Sequence, residues 1–393
     1  MEYIKTTYKD QYWNALPKEV TCFWRDRQSQ KKKTILPQKY EVKLIDPIAD
    51  PTWDAFVENH PFGWICHLSG WKQVLEKSFP HIKGYYFVLF DDSSKEIKAG
   101  MPVFEVKSWL TGKRLVSIPF ATLCDPLISN NDELKFLFEE IFGLMKEVGA
   151  LHIELRSRAA FSLLQEDHFY VQRFYRHHYL ILDKDPEHLK INFHRTCVRQ
   201  RINRATCSNL VFKVGDCESD LKLFYHLYVL TRKRLGLPPL PYLFFKSIWE
   251  AFSPCHKIML LLAKCDDQLA AGLILLKFRD RVSAEFAASD TTYNDFSPNH
   301  LLFWEAIKSA YSEGYKIFDF GRTSPNNKTL MEFKNHWGTQ VVDLPIFYYP
   351  KETVDRLGIR EELRSYKMIN KVCHWAPESA MGFIGSFCYK HLG

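Results

Sequence analysis

Two stretches of this chain run through the same series of elements, and that repetition constrains the fold more than any single motif. In the first, helical patterns near residues 51–58 and 69–78 precede an apolar strand, Tyr85 to Phe90. A polar turn at Asp91-Asp92-Ser93-Ser94, the strand IKAGMPVFEV, a turn at Thr111-Gly112 and the strand RLVSIPF (114–120) follow. Next comes a helix over 132–148, whose Leu134, Leu137, Phe138, Ile141, Met145 and Val148 keep helical spacing. Gly149 ends it as a C-cap glycine does, and LHIEL resumes as a strand. The second stretch has helices near 218–235 and 242–252, then KIMLLLA, a turn at Asp266-Asp267 and LAAGLILLKF. A turn at Arg279-Asp280, VSAEFAAS, a helix from Asn299 to Ser312, Gly314 and KIFDF complete it. Ala99-Gly100 thus aligns with Ala271-Gly272, and Gly149…Glu154 with Gly314…Asp319. A small residue ahead of an inner strand's apolar run marks a bulge or splay.

This order describes an α/β (α+β) chain of two tandem units with mixed, mostly antiparallel sheets, each unit built around its own sheet. A basic lead-in, 1–40, contains Lys31-Lys32-Lys33. The first unit spans 41–190 and is closed by FYVQRFYRHHYLILD (169–183); the second spans 191–350 and is entered through a helical crossover over 186–206. A helical tail, 351–393, ends the chain. The length of 393 residues suits two cores rather than one. With 46% hydrophobic and 25% charged residues the chain belongs with globular proteins, not with disordered or fibrous ones. A net charge of +7 permits phosphates, nucleic acid or a membrane surface as partners and selects none of them.

Ten cysteines are scattered singly, with no CxxC pair and no His/Cys cluster at zinc spacing. No metal site is expected, and the thiols read as reduced ones in a cytoplasmic protein. The opening MEYIKTTYKDQYW lacks the apolar core of a signal peptide. No apolar run approaches the ~18 residues that span a bilayer. The expected location is the cytoplasm, with its membrane face as an alternative, because the C-terminal stretch mixes two chemistries. Trp375, Met381, Phe383, Ile384, Phe387 and Tyr389 alternate there with Lys371, Lys390 and His391. Such a tail suits either docking on the second unit or peripheral membrane contact.

Six motifs in chain order carry a family resemblance. They are RLVSIPF (114–120), FHRTCVRQRINRA (193–205), TRKRLGLPPLPYLFF (231–245), SPNHLLFWEAI (297–307), GYKIFDFGRT (314–323) and LMEFKNHWG (330–338). Covering roughly 41–350, they resemble the FemAB-type aminoacyl/acyl transferases, including exopolysaccharide- and exosortase-associated members. The resemblance implies two tandem GNAT-like acyl-CoA N-acyltransferase units. It implies transfer of an activated acyl or aminoacyl group to an amine on a cell-envelope precursor, of peptidoglycan or exopolysaccharide. It also implies that Lys334, in its Phe-Lys-x-x-Trp-Gly setting, faces the substrate channel. ATLCDP (121–126) departs from the glycine-richer turn of relatives, so no contacts are carried over there. No tightly bound cofactor is implied, and the donor is either aminoacyl-tRNA or acyl-CoA. Acetyl-CoA enzymes of this fold hold pyrophosphate on a glycine-rich turn at a helix start. Here that helix opens Ser297-Pro298-Asn299, without glycine, which weakens the acyl-CoA option.

Amide formation needs an oriented amine, a base and donors for the tetrahedral oxyanion. Asp319, inside an apolar strand, is placed to orient the amine or accept a proton. Glu285, between Ala284 and Phe286, is a second catalytic candidate, since an apolar strand raises a carboxylate's pKa. Arg322 would hold an anionic group, and Lys334 would neutralise phosphate or carboxylate. Arg195 and Arg199 lie four apart in the crossover, with Arg201, Arg204 and His194 nearby and no acid between 188 and 215. That pattern suits phosphate, because guanidinium forks match its geometry. Asn299 reads as a helix cap and His300 as a ligand beside it, completing the substrate-binding candidates. Two other functions fit the same residues: an acyl-CoA-dependent GNAT N-acetyltransferase acting on an amino sugar or small amine, and a non-catalytic GNAT-fold scaffold that binds RNA or an envelope assembly complex.

Overall fold

The computed structural model describes residues 40–91, 94, 96–109, 112–158, 169–353 and 364–391; the basic lead-in lies outside them. The first unit comprises β1 (Tyr40–Ile45), α1 (Thr52–Asn59), α2 (Ser69–Ser78), β2 (Ile82–Asp91), β3 (Ile97–Ser108), β4 (Gly112–Val116), α3 (Asn131–Val148), β5 (Ile153–Arg156) and β6 (Tyr170–Ile181). The crossover holds α4 (Pro186–Ile191), a π-helical turn (Arg195–Arg199) and α5 (Gln200–Thr206). The second unit repeats the series. It comprises β7 (Leu210–Gly215), α6 (Glu218–Arg234), α7 (Tyr242–Phe252), β8 (Ile258–Cys265), β9 (Gln268–Phe278), β10 (Arg281–Ser289), α8 (Pro298–Ser312), β11 (Ile317–Thr323), α9 (Lys328–Asn335) and β12 (Gln340–Tyr349). Two tail helices follow, α10 (Arg364–Trp375) and α11 (Glu378–Tyr389).

The expectation of one sheet per unit is corrected. All twelve strands form a single sheet in the order β1-β2-β3-β4-β5-β12-β6-β11-β10-β9-β8-β7. Each unit's last strand crosses over: β12 pairs with β5 of the first unit, and β6 pairs with β11 of the second. In each unit the strand after the single long helix pairs in parallel with the meander, β5 on β4 and β11 on β10. Its other edge would expose unpaired backbone groups, and the exchanged strand covers it. β6 and β12 then pair with each other, from Gln340↔Tyr179 to Tyr348↔Tyr170, and this seam makes the two sheets one.

The repeat extends to local irregularities. A register shift falls just before Ala99 in β3 and just before Ala271 in β9. The neighbouring glycines have a packing reason. A Cβ on Gly100 would meet the Trp53 ring at 2.4 Å, and one on Gly272 the Phe224 ring at 2.6 Å. Each glycine lets the first helix of its unit lie flat on the strand. RLVSIPF is a strand only to Val116. Pro119 has no N–H to continue a ladder, and Phe120 takes a left-handed φ of 64°.

The helix pairs of the two units face each other across a shared aromatic core. Trp71 of α2 meets Phe244 edge-on at 6.3 Å and Phe252 at 6.1 Å, while Phe79 packs on Phe120 and Phe244. Such rings bury large areas and add directional contacts, so the units are joined by packing as well as by the sheet. The tail docks on this assembly. Cys373 and Met381 bury against Val229 of α6, Tyr389 reaches Phe79 and Phe120, and His391 Nδ1 lies 2.9 Å from Ser108 Oγ. Its outer face stays apolar and open, with Trp375 88% and Phe383 77% exposed beside exposed Met368, Val372 and Phe387.

A candidate active site where the central strands part

β10 and β11 run in parallel for three pairs only, the last being Ser283↔Asp319. Beyond it both strands bulge, β10 between Ala284 and Phe286, β11 between Asp319 and Gly321, where Gly321 takes φ 72°. Two bulges at one level force the strands apart, and buried polar side chains collect there.

Asp319 is 2% exposed. His177 Nε2 lies 2.8 Å from both its oxygens, the Gly321 N–H donates at 2.6 Å, and Arg281 Nη1 at 3.3 Å. Burial would raise its pKa, but the His177 contact and the Arg281 charge override this and hold it at about 2. With its oxygens engaged, this carboxylate positions partners rather than collecting protons. Its charge partner is Arg281 and its ring partner His177, supplied by the neighbouring β10 and the exchanged β6.

Glu285 is the complementary carboxylate. Burial pushes it up to about 6, with the Asp319 charge adding to the rise and the Ser283 hydroxyl, Arg322 and Lys334 opposing it. Ser283 Oγ donates to Oε1 at 2.6 Å. Lys334 is only 6% exposed. Its Nζ donates to the carbonyls of Gly321 at 3.1 Å and Arg322 at 3.0 Å. Burial draws it down to about 8, against the pull of Asp319 and Glu285. Arg322 lays its guanidinium over the Tyr175 ring at 4.8 Å, and burial together with nearby Arg156 lowers its pKa. Facing it from the first unit is a buried pair, Arg156 Nη2 to Glu154 Oε1 at 2.7 Å.

Glu154, Arg156, Tyr175, His177 and Arg281 were not singled out from the sequence. Glu154 had a signal, since the repeat aligns it with Asp319. His177 and Tyr175 had none, because nothing local shows that β6 changes units.

The crossover candidates lie at a second level. Arg195 is exposed, and Arg199 is half-buried with an Nε that is sealed from solvent and lacks a hydrogen-bond partner. Arg201 Nη1 reaches Ser297 Oγ at 3.5 Å. Two expectations at the start of α8 are corrected. Ser297 is the cap residue, at φ 59°, and Pro298 opens the helix, so Asn299 lies inside the first turn. His300 is spent on internal contacts: Nε2 lies 2.9 Å from the Cys197 carbonyl, and its ring stacks on Trp337 at 5.9 Å. Burial draws it down to about 4, so it is neutral at pH 7. The expectation of no clustered metal ligands also changes, since folding brings His194, Cys197 and His336 together.

A cavity of about 280 Å³ opens between the units, bordered by Trp64, His67, Asp125, Arg158, Arg279 and Arg281. Arg281 connects it to Asp319, and Arg158 Nη1 lies 3.4 Å from His177 Nδ1. The cavity and the parted strands thus share the His177–Asp319–Arg281 cluster.

This tandem arrangement has known counterparts. The family model of the acetyltransferase (GNAT) domain matches residues 192–335. The crystal structure of FemX superposes with a TM-score of 0.66 at 17% identity, covering 81% of this chain and 99% of that one. The Lipid II:glycine glycyltransferase of Staphylococcus haemolyticus (strain JCSC1435) is 37% identical over 86 residues. The chain shares its fold with FemX. That glycyltransferase match spans 20% of each sequence. A tandem GNAT protein from the clavulanic acid biosynthesis pathway superposes with a TM-score of 0.50 at 10% identity, over 79% of this chain and 98% of its own. Among the described residues, no helix is long and apolar enough to cross a membrane.

Proposed function

We propose that this chain is a FemAB-type aminoacyltransferase that moves an aminoacyl group from tRNA to an amine on a peptidoglycan precursor. The observation that carries this reading is Glu285, a half-buried carboxylate at the β10 bulge, drawn up to about 6 and sharing one polar cluster with the cations Lys334 and Arg322. A base with a pKa near neutrality suits proton removal from an attacking ammonium or amine. In the step, the acceptor nitrogen attacks the ester carbonyl and passes its proton to Glu285. The oxyanion collapses, the C–O bond to the ribose breaks, and the ribose oxygen leaves with the proton that Glu285 accepted. Lys334 and Arg322 supply positive charge where negative charge develops.

Two features support the partners. Exposed Arg195 offers its guanidinium to a phosphate backbone, while the start of α8 has no glycine cradle for pyrophosphate. The relative named above acts on Lipid II, and the arginine-lined cavity between the units suits an anionic acceptor. Acyl-CoA as donor and an exopolysaccharide precursor as acceptor are the alternatives.

The open face of the tail favours one addition. Exposed Trp375, Phe383 and Phe387, flanked by exposed Lys371 and Lys390, have the chemistry of a segment that rests on an anionic bilayer. A cytoplasmic enzyme so equipped would meet a lipid-linked acceptor at the membrane's inner face.

The deciding experiment incubates the purified chain with charged tRNA and a nucleotide-linked or lipid-linked muramyl peptide, then weighs the peptide. Addition of one aminoacyl residue is expected. Product from acetyl-CoA alone would replace this reading with the N-acetyltransferase one. RNA binding without any product would replace it with the scaffold.

A further inference from the structure

We propose that His194, Cys197 and His336 form a binding site for a thiophilic transition-metal ion, with zinc as the natural occupant. This inference is independent of the reaction proposed above. One ligand atom from each residue lies within 4.8 Å of the other two. Zinc holds sulfur at about 2.3 Å and nitrogen at about 2.0–2.1 Å, so neighbouring ligands in a tetrahedral site stand roughly 3.3–3.7 Å apart. Binding would require the cluster, now spread over no more than 4.8 Å, to close to that size by side-chain rotation.

The backbone already fixes where the ligands start. The His194 N–H donates to the His336 carbonyl at 2.8 Å, and the N–H groups of Val198 and Arg199 both donate to the His194 carbonyl at 3.1 Å. The second of those bonds belongs to the π-helical turn, which widens the helix just where Cys197 must turn towards His336. The His336 N–H donates to the Glu332 carbonyl at 2.9 Å. The two imidazole rings lie 4.5 Å apart, centre to centre. His194 is exposed, and its Nδ1 takes only the Cys197 N–H at 3.2 Å and a longer contact to Thr196 Oγ1. It can therefore swing without uncovering the core. His336 and Cys197 are half-buried and form the inner side of the site.

The donor set decides the ion. Two imidazoles and a thiolate select zinc and its softer neighbours over magnesium or calcium, which need oxygen ligands. Three protein ligands leave the fourth position to solvent. Ligation requires the thiolate, so binding releases a proton and tightens as pH rises. The ion would join two segments far apart in sequence, the start of the crossover and the turn just after Lys334. That turn is continuous with the lysine, since the Trp337 N–H donates to the Lys334 carbonyl at 3.1 Å. Occupancy would stiffen the segments that carry Lys334 and the crossover arginines.

The test titrates the full chain, reduced with a non-chelating reductant, with cobalt(II) alone and then with zinc(II). One equivalent of cobalt should bind with a thiolate-to-metal charge-transfer band and tetrahedral d–d absorption, and zinc should bleach both. Cys197→Ser should abolish the charge-transfer band. His194→Ala and His336→Ala should each weaken zinc by more than the roughly 10- to 100-fold cost of losing an outer-shell partner. Zinc should raise the melting temperature of the native sequence and leave that of Cys197→Ser unchanged. His194 is exposed, so its variant carries the test if His336→Ala fails to fold. Absence of the charge-transfer band, or zinc affinity unchanged in His194→Ala or Cys197→Ser, would overturn the site.

Discussion

Replacing Lys334 with Met separates a working cation from an internal strap. A lysine exposed in a cleft would contribute little to folding, but Lys334 is buried. Met keeps the apolar stem but removes the donor for two carbonyls, Gly321 O at 3.1 Å and Arg322 O at 3.0 Å. Leaving a buried acceptor unsatisfied costs about 1–3 kcal/mol, or about 2–6 for the pair. Against this stands relief of burying a cation. The drop in pKa from 10.5 to about 8 corresponds to roughly 3 kcal/mol at 1.36 kcal/mol per unit. The difference runs from about 1 kcal/mol of stabilisation to about 3 kcal/mol of destabilisation, a melting shift of a few degrees. Losing positive charge beside the reacting carbonyl should cost more in rate, about 2–4 kcal/mol, or roughly 30- to 1,000-fold. Single-turnover transfer and a thermal melt on the same preparation read both quantities, and Lys334→Arg should restore part of the rate. A Lys334→Met protein that melts lower yet turns over at the native rate would refute the reasoning, making the lysine a strap only.

Asp319→Asn should destabilise the fold by about 3–5 kcal/mol, because it breaks a buried carboxylate's bonds to the fully buried His177 and leaves the half-buried Arg281 without its counter-charge; denaturant melts check this. The same carboxylate is held at about 2 in the fold against an ordinary 3.8, so its contribution is full above pH 3.8 and fades as pH falls through about 2. That contribution is about 2 kcal/mol, read from urea midpoints across this window. Trp375→Ala combined with Phe383→Ala should cut sedimentation with vesicles containing anionic lipid and leave transfer to a soluble acceptor unchanged. Equal sedimentation would remove the membrane role of the tail.

The repeat was legible because each unit writes it in its own residues: the aligned Ala-Gly pairs, the helix-ending glycines and the acids at Glu154 and Asp319. The exchange of β6 and β12 was not, since an apolar antiparallel strand carries the same alternation whichever unit it joins. That hidden exchange explains most of the site residues missed, because it brings His177 to Asp319 and Tyr175 to Arg322. Glu285 was readable as an acid in a small-residue strand, although the bulge that turns it into the opening is a property of paired strands. Asn299 was displaced from its expected capping role by Pro298, whose fixed φ suits the first helical position. His194, Cys197 and His336 stayed invisible because their proximity depends on the packing of the crossover against the turn after Lys334.

The central claim is that Glu285 acts as the base beside a protonated Lys334, and the pH dependence of kcat/KM tests it most directly. Glu285 works ionised, so the rate should rise through pH about 6; Lys334 works protonated, so it should fall through pH about 8. In Glu285→Gln the acid limb should vanish and the rate drop by about 10²–10⁴-fold. The acceptor is the same for both proteins, so any limb that belongs to its amine appears in both. Stability should move the other way. A carboxylate whose pKa is higher folded than its ordinary 4.5 weakens the fold as pH rises from 4.5 through about 6, by roughly 2 kcal/mol, so Glu285→Gln should melt higher at pH 8. A Glu285→Gln enzyme that keeps the native rate and the same acid limb would contradict the account.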